Sequence, residues 1–343
     1  MELIPNSDSL EVATVLGWHV VVKKDEFKEG EIVVYFEVDS LLPQIPEFKF
    51  LERYGVKSCN IDNKIYMGYL LKTRKIRGYI SQGLIMPLSL LENKTEDFNI
   101  GTDVSSLLNV IKYEISDRTL ISGEIEDIFP TYLIPKTDEI RLQTEPDLIQ
   151  RYAYASFCVT EKIDGCSATY YIDKMHLKLK ACSRNYIIKE NINNVYWKVA
   201  KLFSLEEKLK KIKQEYGLNV AIQGEIAGVG INKNPLKLTN LQFYAFNLYD
   251  MDKCKYLDYI NFLKISESPF INLQIVPVVY YDKYPLKTID EMIALADFNS
   301  FINEGELAEG LVWHSLINNY KENPNGKLSF KIINPNYLLK TNT

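Results

Sequence analysis

A lysine inside a β-type run is the first residue here that raises a chemical question. Lys162 stands in VTEKIDGCSATYYID, residues 159–173, one residue before an apolar position and two before Asp164-Gly165. Three further charges occupy places where strand periodicity asks for valine or isoleucine: Glu225 in LNVAIQGEIAG, Glu309 in EGLVWHS and Lys331 in KLSFKIIN. One such lysine alone reads as an edge residue with a solvated head. Four charges in separate apolar runs read as groups that meet around a ligand, because a buried charge without a partner is strongly disfavoured.

An amine of ordinary pKa is almost wholly protonated near neutrality and cannot attack anything. Desolvation or cationic neighbours, such as a metal ion and a second lysine, lower that pKa. A deprotonated lysine could then attack the α-phosphorus of a nucleotide. Asp164-Gly165 would turn the chain tightly behind it and let backbone approach the ligand. The glutamates would hold a divalent ion and the ribose hydroxyls. With five cysteines, no Cys-x-x-Cys pair and three scattered histidines, neither a zinc site nor a disulfide frame is expected, so the ion should be Mg²⁺ or Mn²⁺ held by oxygens.

The elements that must position these residues fall into two parts. Residues 1–115 are short β-branched or aromatic runs (GWHVVVKK, GEIVVYFEV, IYMGYLLKTRKIRGYISQGLIMPL) punctuated by glycine, the texture of a small OB-like β-barrel. Residues 116–150 are charged and broken by Pro130, Pro135 and Pro146, a linker and lead-in. Residues 151–343 mix strands with an apolar stripe at helical spacing (Val199, Leu202, Phe203, Leu205, Leu209, Ile212) that Gly217 should stop. The fold class expected is therefore α+β, a barrel followed by a domain of antiparallel sheets with flanking helices. No run of eighteen apolar residues and no signal-like N-terminus is present, so a soluble intracellular protein, cytoplasmic or nuclear, is expected, with a monomer as the default.

Net charge is −5, which argues against coating nucleic acid through bulk electrostatics. The local pattern differs: Lys57, Lys64, Lys72, Arg74, Lys75 and Arg77 face one acid, Asp62, and Tyr66, Tyr69 and Tyr79 lie among them. Such a run is either a solvated surface or a phosphate-tracking groove with stacking aromatics for single-stranded nucleic acid.

The ordered set of motifs resembles the covalent nucleotidyltransferases: ATP-dependent RNA ligases, DNA ligases and mRNA capping enzymes. EKIDG, Glu161–Gly165, resembles motif I and implies Lys162 as the residue that becomes lysyl-AMP, with Glu161, Asp164 and Gly165 at the nucleotide. SRN, residues 183–185, resembles motif Ia and implies Arg184 as a ribose or phosphate contact. QGEIAG is similar to motif III, with Glu225 as its acid, at the nucleotide and the metal. FYAFNLYD is similar to motif IIIa, whose aromatic stacks on the purine, Phe243 before Phe246. EGLVWH resembles motif IV with Glu309 as a metal carboxylate. KLSFKIIN resembles motif V, where Lys331 lacks the Lys-x-Lys partner and Lys327 is the substitute at period two.

Only twelve residues follow Lys331, too few for the downstream OB domain of DNA ligases and capping enzymes. An OB-like segment placed first resembles the Naegleria-type RNA ligases. The resemblance implies RNA repair or processing: sealing of 3′-OH and 5′-phosphate RNA ends with ATP, through lysyl-AMP and an RNA-adenylate. The alternative is a capping guanylyltransferase or a DNA ligase-like enzyme sharing the lysyl-nucleotide chemistry.

Overall fold

The computed structural model describes every residue except 6, 62–63, 92–97, 114–123, 284–286, 319, 321–325 and 342–343. The chain forms two compact units, Met1–Ser116 with Leu338–Thr343, and Asp117–Tyr337. The boundary expected at 115/116 lies outside the described residues.

The first unit is built of short antiparallel ladders. Glu2–Leu3, Leu10–Val15 and Trp18–Lys23 form a meander, and Val33–Phe36 pairs with Leu84–Pro87. Ile111–Lys112, Ser40–Leu42, Lys64–Leu70 and Lys57–Ile61 form a four-stranded sheet, and Arg74–Ile76 pairs with Tyr79–Ser81. Alternation drives the inward face: in WHVVVK, Trp18, Val20 and Val22 are buried. A second core gathers Val34, Phe36, Leu42, Phe48, Leu51 and Tyr69, with Phe36 and Phe48 edge to face at 5.3 Å.

The second unit holds two sheets. The seven-stranded one runs Ile125–Ile128, Tyr186–Ile188, Leu179–Cys182, Cys166–Ile172, Val220–Ala227, Gln242–Asp250, Lys255–Tyr256 and is antiparallel throughout. The five-stranded one runs Ile140–Arg141, Ser329–Ile333, Gly310–Ser315, Ser156–Lys162, Val278–Lys283, parallel only at its first pair. The apolar stripe of residues 195–217 makes two helices, Val195–Leu202 and Leu205–Tyr216, where the sequence pattern suggested a continuous one. Ser204 takes left-handed backbone, φ 50°, and breaks it, while Gly217, φ 67°, ends the second helix as expected. Val199, Leu205, Leu209 and Ile212 join Tyr170, Ile222 and Phe243 in one core. Among the described residues no helix is long and apolar enough to cross a membrane.

Candidate active site

The four charges converge where one strand leaves the five-stranded sheet and enters the seven-stranded one; Lys162, Glu225 and Lys331 lie in strands, whereas Glu309, expected inside one, immediately precedes the strand that begins at Gly310. Lys162 is the last residue of Ser156–Lys162, paired with Gly310. Three residues later the chain starts Cys166–Ile172, which puts Ser167 opposite Glu225. The turn between them is pressed flat: a Cβ on Gly165 would lie 2.1 Å from the Ile226 carbonyl oxygen, so a side chain there would push the two strands apart. A Cβ on Gly310 would likewise lie 2.1 Å from the Ile332 carbonyl oxygen, and Glu309, the residue before it, reaches Lys162. Lys331 sits on the next strand, opposite Val312 on one side and Arg141 on the other.

The charges are close enough to set one another. Lys162 Nζ donates to Glu309 Oε2 at 2.7 Å, with the two side chains 25% and 16% exposed. Burial alone disfavours the ammonium, but Glu309, Glu225 and Asp164 outweigh it and hold the Lys162 pKa above the usual lysine value. Burial pushes the Glu225 carboxyl up to about 8, with Glu309 and Asp164 adding like charge against the pull of Lys162. Glu309 is raised for the same reason, burial first, then Asp164. Lys331 moves the other way, to about 8, through burial and the positive charges of Lys162 and Arg141. The depressed amine expected at Lys162 is thus found at Lys331. The carboxylates around Lys162 thus favour its protonated form.

Glu225 and Glu309 fit a hard divalent ion: two carboxylates whose pKa values are raised first by burial and then by neighbouring acids, Asp164 for both and Glu309 also for Glu225, so that a cation would relieve them. Among the described residues no group of three or more His, Cys, Asp or Glu could hold a metal ion. An ion here would therefore complete its shell with water and phosphate oxygens, as Mg²⁺ and Mn²⁺ do at nucleotides.

Two of the expected nucleotide contacts need correction. Phe243 is fully buried, edge to face with Tyr170 at 5.4 Å and 6.4 Å from Phe203, and presents no ring face to a ligand. Phe246 is half-buried in an apolar patch with Ile163, Tyr244 and Val276. The register explains the difference: Gln223 pairs with Asn247 and Gly224 with Ala245, so Phe246 is the extra residue of a bulge. Lys327 is not part of the Lys331 strand, which begins at Ser329. Its amine pairs with Glu139, which also accepts from the Ser329 hydroxyl, and lies 5.0 Å from the Tyr256 ring.

The remaining members are placed as follows. Glu161 points to the other face of its strand and is raised by burial against the hydrogen bonds of Ser300 and the Phe301 amide, the latter to Oε2 at 2.9 Å, while Oε1 is buried with no hydrogen-bond partner among the described residues. Arg184 pairs with Asp138 at 2.8 Å. In the first unit Lys57 and Lys64 lie on one hairpin, Lys64 4.9 Å from the Tyr66 ring, while Arg74 lies 3.4 Å from Tyr54. Lys75 is exposed on the strand Arg74–Ile76, Arg77 is exposed in the turn that follows, and Lys72 precedes it. Tyr69, expected as a stacking residue, is a core residue at 6% exposure; Tyr66 and Tyr79 remain accessible. His314 is fully buried and neutral, held low by burial, stacked on Tyr259 at 4.2 Å and 3.2 Å from Thr160.

Sequence reasoning missed Arg141, Glu139, Asn232 and Tyr337. Arg141 meets Lys331 only through a parallel pairing 190 residues apart, and no local pattern marks it. Both Glu139 and Arg141 fall in the charged lead-in of residues 116–150.

A family model described as an OB-fold domain matches residues 1–88, and one described as RNA ligase matches residues 155–333. No match is found among the curated proteins. Among solved structures the chain is similar to Naegleria gruberi RNA ligase: an apo form of a point mutant is 33% identical, TM-score 0.85, over 99% of this chain and 94% of that one. A second mutant solved with ATP and Mn is 33% identical, TM-score 0.84, over 99% and 96%. A form with PPi is 32% identical, TM-score 0.83, over 99% and 95%. With a family model for RNA ligase over residues 155–333, an OB-fold model ahead of it and a third of its residues identical to those of a solved RNA ligase, this chain belongs to the RNA ligase family, in its Naegleria type.

Proposed function

We propose that this protein seals RNA 3′-OH and 5′-phosphate ends with ATP, and that Lys162 carries the AMP. The observation that supports the reading most is the Lys162–Glu309 pair at 2.7 Å, inside the field of Glu225, Asp164 and Lys331. A lysine held among carboxylates beside a second, depressed lysine is poised to change its protonation when phosphate oxygens enter. Lys331 and Arg141 offer positive charge to those oxygens.

The chemistry proceeds in three displacements. Lys162 Nζ, having lost its proton, attacks the α-phosphorus; a P–N bond forms and the P–O bond to pyrophosphate breaks. An oxygen of the RNA 5′-phosphate then attacks the same phosphorus, the P–N bond breaks and Lys162 takes back a proton. Finally the 3′-hydroxyl oxygen attacks the 5′-phosphorus of the RNA-adenylate and AMP leaves. Glu225 and Glu309 would hold a divalent ion, which when bound supplies countercharge to the phosphate oxygens. Phe246 would stack on the purine, Arg184 would contact the ribose or phosphate, and Glu161 would offer its unpartnered Oε1 to the base.

The N-terminal part, taken as residues 1–115, would bind RNA through Lys57, Lys64, Lys72, Arg74, Lys75 and Arg77, with residues 116–150 as its link to the ligase domain. Incubation with α-labelled ATP or GTP and a divalent ion, followed by denaturation, tests the reading. Label from ATP that RNA then chases off is expected. Label from GTP alone, or none, overturns it.

A further inference from the structure

Both oxygens of the Asp164 carboxylate are occupied by neutral donors. Asn232 Nδ2 donates to Oδ1 at 3.0 Å, and the Tyr337 hydroxyl donates to Oδ2 at 2.5 Å. The same Asn232 amide also donates to the Gly165 carbonyl oxygen at 2.5 Å. The turn that follows Lys162 is therefore tied at three acceptor atoms by two residues from elsewhere in the sequence, 68 and 173 positions from Asp164.

Both donors are built for the task. Tyr337 is 5% exposed, and burial together with the Asp164 charge pushes its phenol far above the ordinary tyrosine value, so it remains a donor across the working pH range. Asn232 lies in a loop where Asn232, Lys233, Asn234 and Lys237 all take left-handed backbone, φ 43°, 59°, 52° and 50°. Such a run is unfavourable for side chains with a Cβ and persists only where contacts hold it. Asn234 closes the loop internally, its side chain bonded to both the N–H and the carbonyl of Leu238. Asn232, by contrast, spends its side chain on the Lys162 turn. Glu225 and Glu309 stand close by, so an unanchored Asp164 would be free to turn toward Lys162 and compete with Glu309 for the amine.

We propose that Asn232 and Tyr337 are positioning residues for adenylyl transfer: they fix the Asp164 carboxylate and the Gly165 carbonyl, and so hold the Lys162 amine on Glu309 and aimed along one line. The inference rests on the reading of Lys162 as the AMP acceptor. Their action runs through Asp164, which distinguishes them from residues that merely stabilise the fold.

The test is single-turnover AMP attachment to full-length protein at saturating ATP, followed for hours so that slow variants stay measurable. Asn232→Ala and Tyr337→Phe should each slow the step about tenfold with little change in the ATP concentration for half-maximal rate, as misplacement of a reacting group does. In an Asp164→Ala background neither substitution should slow it further by more than about twofold. Thermal melting of each variant separates lost folding from lost positioning. Rates within about twofold of the parent, or tenfold losses that persist undiminished in the Asp164→Ala background, overturn the inference. If the parent takes no AMP at all, the failure belongs to the underlying reading, and Lys162→Ala, which should abolish labelling, tells the two apart.

Discussion

The charges at the strand crossing and those of the N-terminal basic run are similar letters in different media. Lys162, Glu225, Glu309 and Lys331 are half-buried, where partial desolvation and neighbouring charge shift protonation: Glu225 is driven to about 8 and Lys331 to about 8. Lys57, Lys64, Lys75 and Arg77 are exposed, where water and salt screen each charge and single contacts are weak. A buried charge can do covalent chemistry with one residue, whereas an exposed one acts only as part of a set. Single substitutions should therefore be severe in the first region and slight in the second.

The largest effect is expected at Glu309. Glu309→Gln removes the closest countercharge of Lys162 and an oxygen proposed for the metal, and should lower the rate of AMP attachment about 10²–10³-fold, the scale of removing one preorganised electrostatic partner. The same change should lower the Lys162 pKa, since the charge that raised it is gone while burial remains. A titration of ¹⁵N-labelled lysine amines reads that shift; an unchanged Lys162 pKa would dissociate the pair from its electrostatics.

Next comes the contrast between two phenylalanines. Phe243→Ala should cost about 3–5 kcal/mol of stability as a core truncation, read by denaturant unfolding. Phe246→Ala should leave stability nearly unchanged and weaken ATP binding by about 1–3 kcal/mol, the worth of one stacked base, read by calorimetry. The reverse pattern would return the purine to Phe243.

A smaller effect concerns pH. The folded Glu225 pKa, about 8, lies above the unfolded value near 4.3. The unfolded chain thus holds fewer protons between those values, and stability falls as pH rises from about 4.3 to 8. Metal-free Glu225→Gln should melt a few degrees higher than the parent near pH 8, with the gap closing toward pH 5. Equal melting at both values would mean that burial, with Glu309 and Asp164, does not raise the Glu225 pKa.

The smallest single effects belong to the N-terminal run. Lys57→Ala or Lys64→Ala should weaken RNA binding only slightly, with the slope of log affinity against log salt falling by about 0.7 per lost phosphate contact on single strands. A salt-independent affinity would remove RNA binding from this surface.

Much of the site was legible because its charges break a pattern. Lys162, Glu225, Glu309 and Lys331 interrupt apolar alternation, and physics allows that only where partners or solvent wait. The strands themselves followed from β-branched runs, as in WHVVVK. What could not be read depends on pairings distant in sequence. The choice between Phe243 and Phe246 turns on one bulge, invisible until the strand is laid against Val220–Ala227. Lys327 kept the right period but fell outside the strand, and its charge went to Glu139. Arg141, Asn232 and Tyr337 carry no local signal, because their partners lie on other elements. The break at Ser204 arose from backbone conformation within a stripe whose apolar spacing continued unbroken.

The central claim is that one amine, held protonated by carboxylates until a nucleotide arrives, is the covalent carrier. Peptide mass spectrometry of the protein after exposure to ATP and a divalent ion measures this directly. An adenylate adduct on the peptide containing Lys162, absent from the Lys162→Ala protein, is predicted. No adduct, or an adduct on another lysine such as Lys331, would contradict it.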